Sequence, residues 1–395
     1  MEVVTPQLRA FSLTKENAIE LVHKHFPEYD GQRLRLVEID NRHSHATFRT
    51  CFIEISSINQ LLICFLTISE PNTEAAGLNG KLYQTNSLSM IHHLYNLVRE
   101  RTESPVQVHT LDTSLSLIPY HYLLSPLLPL KNGHILLSLA QARKGNLLSI
   151  REDAMLDLRI GMHMGQVHSN IQNDWFGRPQ LPGPNAPVSI PLMPPVEDGA
   201  YSWQETFVNL FEDVLSRVEE SIIARGEQEK YKIPSEDIHR CLSRAIGFFL
   251  FDDVEVPSLI TLTGNLDDVF VSLLPPSQGT AESTQDPEIR YIVPNLSHAL
   301  WGDPLLEHIF MPPGPSAAVK EGYAGGGGGP IMVFPRQKTK RLWYTLFSAL
   351  IILLEEGDAE DSWNVEMKES GKGRVVMAWR TVEECVEALR DAPCY

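Results

Sequence analysis

Two amides and two carboxylates stand where this chain could do chemistry. The stretch Ser258-Leu-Ile-Thr-Leu-Thr-Gly-Asn-Leu-Asp-Asp-Val-Phe-Val271 reads as turn, loop and strand, with Asn265 ahead of the pair Asp267 and Asp268. A second segment, Tyr291-Ile-Val-Pro-Asn-Leu-Ser-His-Ala-Leu-Trp-Gly-Asp-Pro-Leu-Leu-Glu307, carries Asn295 and His298. A carboxylate can take a proton from an attacking hydroxyl or hold a hard cation; an amide cannot do the first and does the second poorly. Asp267 and Asp268 are therefore the groups of this loop able to act as base or metal ligand. The plainer reading of the pair is a loop cap.

The remaining reactive side chains are spaced badly for chemistry. His163 and His168 are five apart on one expected helix and turn away from each other, whereas metal binding wants a spacing of four. His92 and His93 are sequential and face different sides. The five cysteines (Cys51, Cys64, Cys241, Cys385 and Cys394) form no paired short spacing. They read as free thiols in a reducing compartment, and a cytosolic location is expected. The run Gly325–Gly329 lacks the lysine and helix start of a phosphate-cradling loop and reads as a connector. No metal site is expected.

The two segments together resemble the aminoglycoside-phosphotransferase-like (choline-kinase-like) small-molecule kinases, especially their fungal branch. That family carries a histidine-glycine-aspartate-leucine loop with the catalytic aspartate and a metal-binding asparagine. A later isoleucine-aspartate-phenylalanine segment holds magnesium and precedes an alanine-leucine-tryptophan-glycine-aspartate-proline run. Here the corresponding positions are Thr263-Gly264-Asn265-Leu266 and Val293-Pro294-Asn295-Leu296. Both carboxylates are amides. The resemblance spans roughly residues 30 to 355 and is strongest at Asn173-Asp-Trp-Phe-Gly177, at His298–Glu307 and at Glu321-Gly-Tyr323. It implies a protein-kinase-like two-lobed α+β fold. It also implies that Asp303 fixes the catalytic segment and that His298 lines the cleft.

The amino-terminal half departs from the family in the same direction. Arg33–Glu38 and His43–Ile55 resemble its first strands and phosphate-covering hairpin, but this hairpin contains no glycine. The next strand, Leu61–Ile68, should end in a cation that grips phosphate, and Thr67 falls there. The partner glutamate on the following helix corresponds to Asn86. No lysine or arginine occurs from Cys51 through Gly80, so no shift of register supplies the cation.

Those losses point to a phosphotransferase fold without phosphoryl transfer, which depends on positioning and charge neutralisation. The cleft would take an apolar small molecule, with Thr67, Asn86, Asn265 and Asn295 as neutral binding groups. The resemblance to fungal members suggests natural-product biosynthesis, and a cleft that holds a reactive conformer and polarises a carbonyl without metal or acid points to a cofactor-free cyclase or pericyclase. Cleft candidates for catalysis are Asn265, Asn295, Asp267, Asp268 and His298; no cofactor is expected. Two alternatives stand beside it: an ATP-dependent kinase using Asp267 and Asp268, and a non-catalytic pseudokinase with a protein partner.

The elements that must position these residues follow from periodicity. The 395 residues, 43% apolar and 21% charged, suffice for two lobes with separate cores. A net charge of −17 argues against nucleic acid and anionic membrane surfaces. The apolar run Leu342–Leu354 is too short to span a bilayer and reads as a buried helix. Residues 1–125 are expected to form a sheet lobe with strands at 33–38, 47–55, 61–68, Val106–Leu111 and Tyr120–Leu124, and a helix near 83–101. Residues 126–395 form a helical lobe, entered by a hinge at Ser125–Leu130. Its helices are expected at Arg151–Asn173, Tyr201–Arg225, Glu236–Asp252 and Thr381–Asp391. A hairpin is expected at Thr280–Glu288, a glycine/proline connector at 312–335, and a strand pair between Val365 and Ala378.

Overall fold

The computed structural model describes residues 13–38, 48–56, 61–69, 71, 82–103, 105–107, 109–130, 133–181, 201–226, 231–262, 266–274, 288–293, 295–331, 334–358 and 365–394. The hairpin expected at Thr280–Glu288 lies almost wholly outside them. Within them the chain is a two-lobed α+β fold.

The first lobe is an antiparallel sheet between two helices. Helix α1 (Lys15–His25) starts at a reciprocal cap in which Thr14 and Asn17 bond each other's backbone. Strands β1 (Arg33–Glu38), β2 (Phe48–Ser56) and β3 (Leu61–Ser69) follow. After helix α2 (Leu88–Arg101) come β4 (Thr110–Asp112), β5 (His121–Leu124) and β6 (Leu128–Leu130). The order is β1-β2-β3-β5-β4, with β6 on the far end of β3. β3 is buried on both faces, as its unbroken Leu-Leu-Ile-Cys-Phe-Leu run requires. Leu62, Cys64, Leu66 and Ile68 pack toward α1, while Ile63 and Phe65 pack toward α2. Thr67 continues that second face and interrupts the burial. Because Leu128–Leu130 pairs with Leu61–Ile63, the sheet extends past the boundary expected after residue 125.

The second lobe is mostly helical. Strand β7 (Ile135–Ser138) leads into α3 (Leu139–Lys144), then α4 (Ile150–Asn170), α5 (Trp203–Arg225) and α6 (Ser235–Gly247). Strands β8 (Ser258–Ile260), β9 (Val269–Leu273), β10 (Glu288–Ile292) and β11 (Leu300–Gly302) form two small sheets, β10-β9-β7 and β11-β8. Helices α7 (Ala317–Gly325), α8 (Pro335–Asp358) and α9 (Val365–Asp391) complete it. The run Leu342–Leu354 is the buried side of α8: Trp343, Tyr344, Phe347 and Leu350 meet Phe207 and Phe211 of α5 in the main core. Each such side chain contributes about 1.5–3 kcal/mol by leaving water. Among the described residues no helix is long and apolar enough to cross a membrane.

Three expectations change. Val365–Ala378 is no strand pair but the first half of α9, whose Ala378, Val382, Cys385, Val386 and Leu389 keep helical spacing toward the core. α6 ends at Gly247 instead of running to Asp252, because Phe249 takes a left-handed φ of 52°. The connector expected at 312–335 contains α7, which lies directly against α4. An added Cβ on Gly322 would come 1.9 Å from Leu158 O, and one on Gly165 would come 2.3 Å from Tyr323 O. Gly161 and Gly326 are equally confined. The glycines serve close helix contact here rather than looseness.

Candidate functional site

A cleft between the lobes holds about 460 Å³ of space, its open mouth included. Phe48, Thr50 and Thr67 of the sheet form one wall, and Ile91 and Tyr95 of α2 another. Asp267, Asp268 and Phe270 form the floor, and Val293, Asn295, Leu296 and Ser297 close the far side. Four residues singled out in the sequence, Thr67, Asp267, Asp268 and Asn295, therefore share one site.

Thr67 sits directly opposite Thr50 in the β2–β3 ladder, and their hydroxyl oxygens are 3.0 Å apart. Two hydroxyls thus occupy the strand position where a phosphate-gripping cation is expected. Asp267 and Asp268 lie on a short 3-10 turn, Leu266–Asp268, ahead of β9. Ser138, the cap of α3, donates its hydroxyl to Asp267 Oδ1 at 3.0 Å. The Asp268 carbonyl accepts from Val293 N at 2.8 Å, which ties the acidic turn to the far wall. Asn295 Oδ1 accepts the hydroxyl of Ser297 at 2.6 Å and its N–H at 3.2 Å, a local turn that leaves Nδ2 as the donor for a ligand.

Tyr95 was not singled out by the sequence. Its ring stacks on His109 with centroids 4.5 Å apart, which fixes it in the cleft wall. Burial, then the charges of Tyr291 and Asp268, push its phenol pKa well above the ordinary value, so it stays a neutral donor. Ile91 and Tyr95, four apart on α2, are the cue available in the sequence. Thr50 had one too, as the cross-strand neighbour of Thr67.

Two expected site residues do not line the cleft. Asn86 is buried, and its Nδ2 donates to Leu296 O at 2.8 Å and Ala299 O at 2.9 Å. Its amide hydrogens are spent on backbone, not offered to a ligand. His298 is buried in the main core, held by the Tyr83 hydroxyl 2.5 Å from Nδ1 and Glu355 Oε1 2.5 Å from Nε2. Burial, reinforced by Glu355, raises the Tyr83 phenol well above its usual range and keeps it protonated. Asn265 lies outside the described residues, with Thr263 and Gly264.

The approach to Asn265 is nonetheless defined. Glu307, 1% exposed, accepts Thr261 N at 2.6 Å and the Thr261 hydroxyl at 2.7 Å. The next residue, Leu262, is buried with φ 63°, a conformation that costs about 1–3 kcal/mol in a non-glycine residue. His168 Nε2 approaches Glu307 at 3.5 Å, and His168 Nδ1 meets the Tyr323 hydroxyl at 2.9 Å. Glu307 thus holds Thr261, next to the strained Leu262. Asp303, to which the family resemblance assigned the fixing of the catalytic segment, instead accepts from Leu305 N, from Lys340 Nζ at 3.0 Å and from the Tyr344 hydroxyl at 2.8 Å.

A nucleotide with magnesium, as the resemblance implies, needs cations around phosphate and anionic ligands around the metal. The described lining contains two carboxylates and no lysine or arginine. Among the described residues no three histidine, cysteine or acidic side chains gather at one metal position. The described lining offers two carboxylates to a metal but no cation to the phosphates that would come with it.

No family model matches the chain, and no curated protein matches it. Among solved structures the chain is similar to a candidate aminoglycoside phosphotransferase from Ralstonia eutropha JMP134, with TM-score 0.49 and 12% identity over 97% of this chain and 100% of that one. It is similar to a spectinomycin phosphotransferase solved with ADP and spectinomycin, with TM-score 0.45 and 13% identity over 96% and 98% of the two chains. It is also similar to a microcompartment-associated aminopropanol kinase, with TM-score 0.43 and 11% identity over 96% and 98%.

Proposed function

We propose that this chain is a phosphotransferase-type fold that has given up phosphoryl transfer and binds an apolar small molecule in its interlobe cleft. Its activity in this reading is that of a cofactor-free cyclase or pericyclase, of Diels–Alder or related type, in fungal natural-product biosynthesis. The observation that carries the reading is the cleft lining: Thr67 bonded to Thr50 at the cation position, over a floor of two carboxylates. A phosphate charge 4 Å from one carboxylate is repelled by on the order of 4 kcal/mol at an effective dielectric of about 20. With no cation in the described lining to offset it, a nucleotide is a poor occupant.

The same cleft suits a neutral substrate. Phe48, Ile91, Phe270, Val293 and Leu296 supply apolar surface, while Asn295 Nδ2 is a donor able to polarise a carbonyl. Holding a reactive conformer in register can supply several kcal/mol of the barrier without a metal or an acid. The test is a time course of the linear pathway precursor with and without the protein, followed by mass spectrometry. Cyclised product forming equally fast in both ends this reading.

A second reading has one observation in its favour, the placement of Asp267 and Asp268 on the cleft floor. It makes the chain an ATP-dependent small-molecule kinase with Asp268 on the metal and Asp267 as base. Asp268→Ala then abolishes ATP turnover; turnover that survives the substitution rules the reading out.

A further inference from the structure

We propose that Asn86 is a positioning residue that sets the width of the cleft by fastening two of its walls together. Asn86 immediately precedes Ser87, whose side chain caps α2, the helix that carries Ile91 and Tyr95 into the cleft. The opposite wall is the segment Asn295–Ser297. Asn86 grips that segment three times: its backbone N–H donates to Ser297 O at 2.6 Å, and Nδ2 donates to Leu296 O and Ala299 O. One side chain, 2% exposed, therefore joins the start of the helical wall to the loop that presents Asn295 and Ser297.

Its neighbours make the join stiff. Tyr83 N donates to Asp213 Oδ2 at 3.1 Å, and Tyr83 O accepts from Arg217 at 2.6 Å. Arg178 donates to Thr85 O and to Gln84 Oε1. Residues 83–86 thus form a strap anchored on α5 and on the 296–299 segment, and α2 cannot swing outward without breaking it. A small-molecule site held open at fixed width selects ligands by size and rigid shape. Among uncharged side chains only an amide NH2 can donate to two carbonyl oxygens at once, which is what position 86 does.

The inference rests on the cleft being the ligand site, not on its chemistry, so the test reads geometry alone. Thr67→Cys places a thiol in the cleft, and the five native cysteines are buried and slow to react. The rate of labelling by fluorescein maleimide divided by that by iodoacetamide measures how wide the cleft opens, and the thiolate fraction cancels in the ratio. Asn86→Asp turns the paired donors into a carboxylate facing carbonyl oxygens. The ratio should rise about tenfold or more near pH 8, because a closing contact becomes repulsive. It should fall back as pH is lowered to about 6, where a desolvated carboxyl among acceptors regains its proton and one donor.

A merely structural role predicts a lower unfolding midpoint with the ratio unchanged at both pH values; that result overturns the proposal. If Asn86→Asp does not fold, Asn86→Ser, which keeps one donor, should give an intermediate ratio. A ratio equal to that of the Asn86 protein also overturns it. Cyclisation is read on the unsubstituted protein and cleft width on the variants, so failure here and failure of the proposed activity remain distinguishable.

Discussion

Removing the carboxylate of Glu307 should loosen the approach to Asn265 at a cost that follows from its contacts. Glu307 accepts two short hydrogen bonds from Thr261, one from backbone and one from the hydroxyl, in a fully buried setting. A hydrogen bond to a charged group contributes about 1.5–3 kcal/mol, so the pair is worth about 3–6 kcal/mol. Release lets Leu262 leave its left-handed conformation, which returns about 1–3 kcal/mol. The net expectation for Glu307→Ala is a loss of about 3 kcal/mol. Glu307→Gln should cost only about 1 kcal/mol, since the amide oxygen still accepts the N–H and the NH2 can donate to the hydroxyl oxygen. Urea unfolding at neutral pH measures both from the midpoint shift at unchanged slope. Alanine within about 0.5 kcal/mol of the starting protein, or glutamine as costly as alanine, would refute the idea that these two bonds hold Leu262 in its left-handed conformation.

Three further outcomes follow from buried groups. Gly322→Ala pushes a methyl to 1.9 Å from Leu158 O; the resulting overpacking should cost about 1–3 kcal/mol or more, read as a lower melting temperature. Lys340 is buried between Asp303 and Asp253, so Lys340→Met should destabilise by about 3–5 kcal/mol in chemical denaturation, leaving carboxylates without their cation. Burial lowers His109 from 6.5 to about 4. Its folded pKa is the lower one, so its stability is full above about 6.5 and falls by about 1.4 kcal/mol per pH unit down to about 4. Urea midpoints should fall across that window, and His109→Gln should lessen the slope by about 1.4 kcal/mol per pH unit, with His163, also lowered to about 4 by burial, keeping its own share.

Local pattern carried much of the fold and part of the site. The unbroken apolar run of β3 marked a strand covered on both faces, and Thr67 stood out as its polar interruption. Asp267, Asp268 and Asn295 were legible because carboxylates and amides at loop positions differ in what they can do. What local pattern could not carry was reach. Asn86 and Leu296 are 210 positions apart, so nothing beside Asn86 in the chain signals that its amide is spent on a distant carbonyl. Tyr95 belongs to the apolar stripe of α2, and periodicity alone makes it core. The run Gly325–Gly329 reads as a connector, yet Gly326 lies against Met162 O, because glycine's lack of a Cβ serves looseness and close packing alike. Val365–Ala378 read as a strand pair, but the apolar positions from Ala378 onward keep a helical face against the core, and packing prevails over local propensity.

Calorimetric titration of the protein with ATP, once with magnesium and once with EDTA, bears most directly on the central claim. A cleft floored by Asp267 and Asp268, with hydroxyls at the cation position, should show no binding heat in either condition. Magnesium-dependent binding would contradict the account, because it would mean that the two carboxylates have taken over the lost metal ligands and that a nucleotide, not an apolar molecule, occupies this cleft.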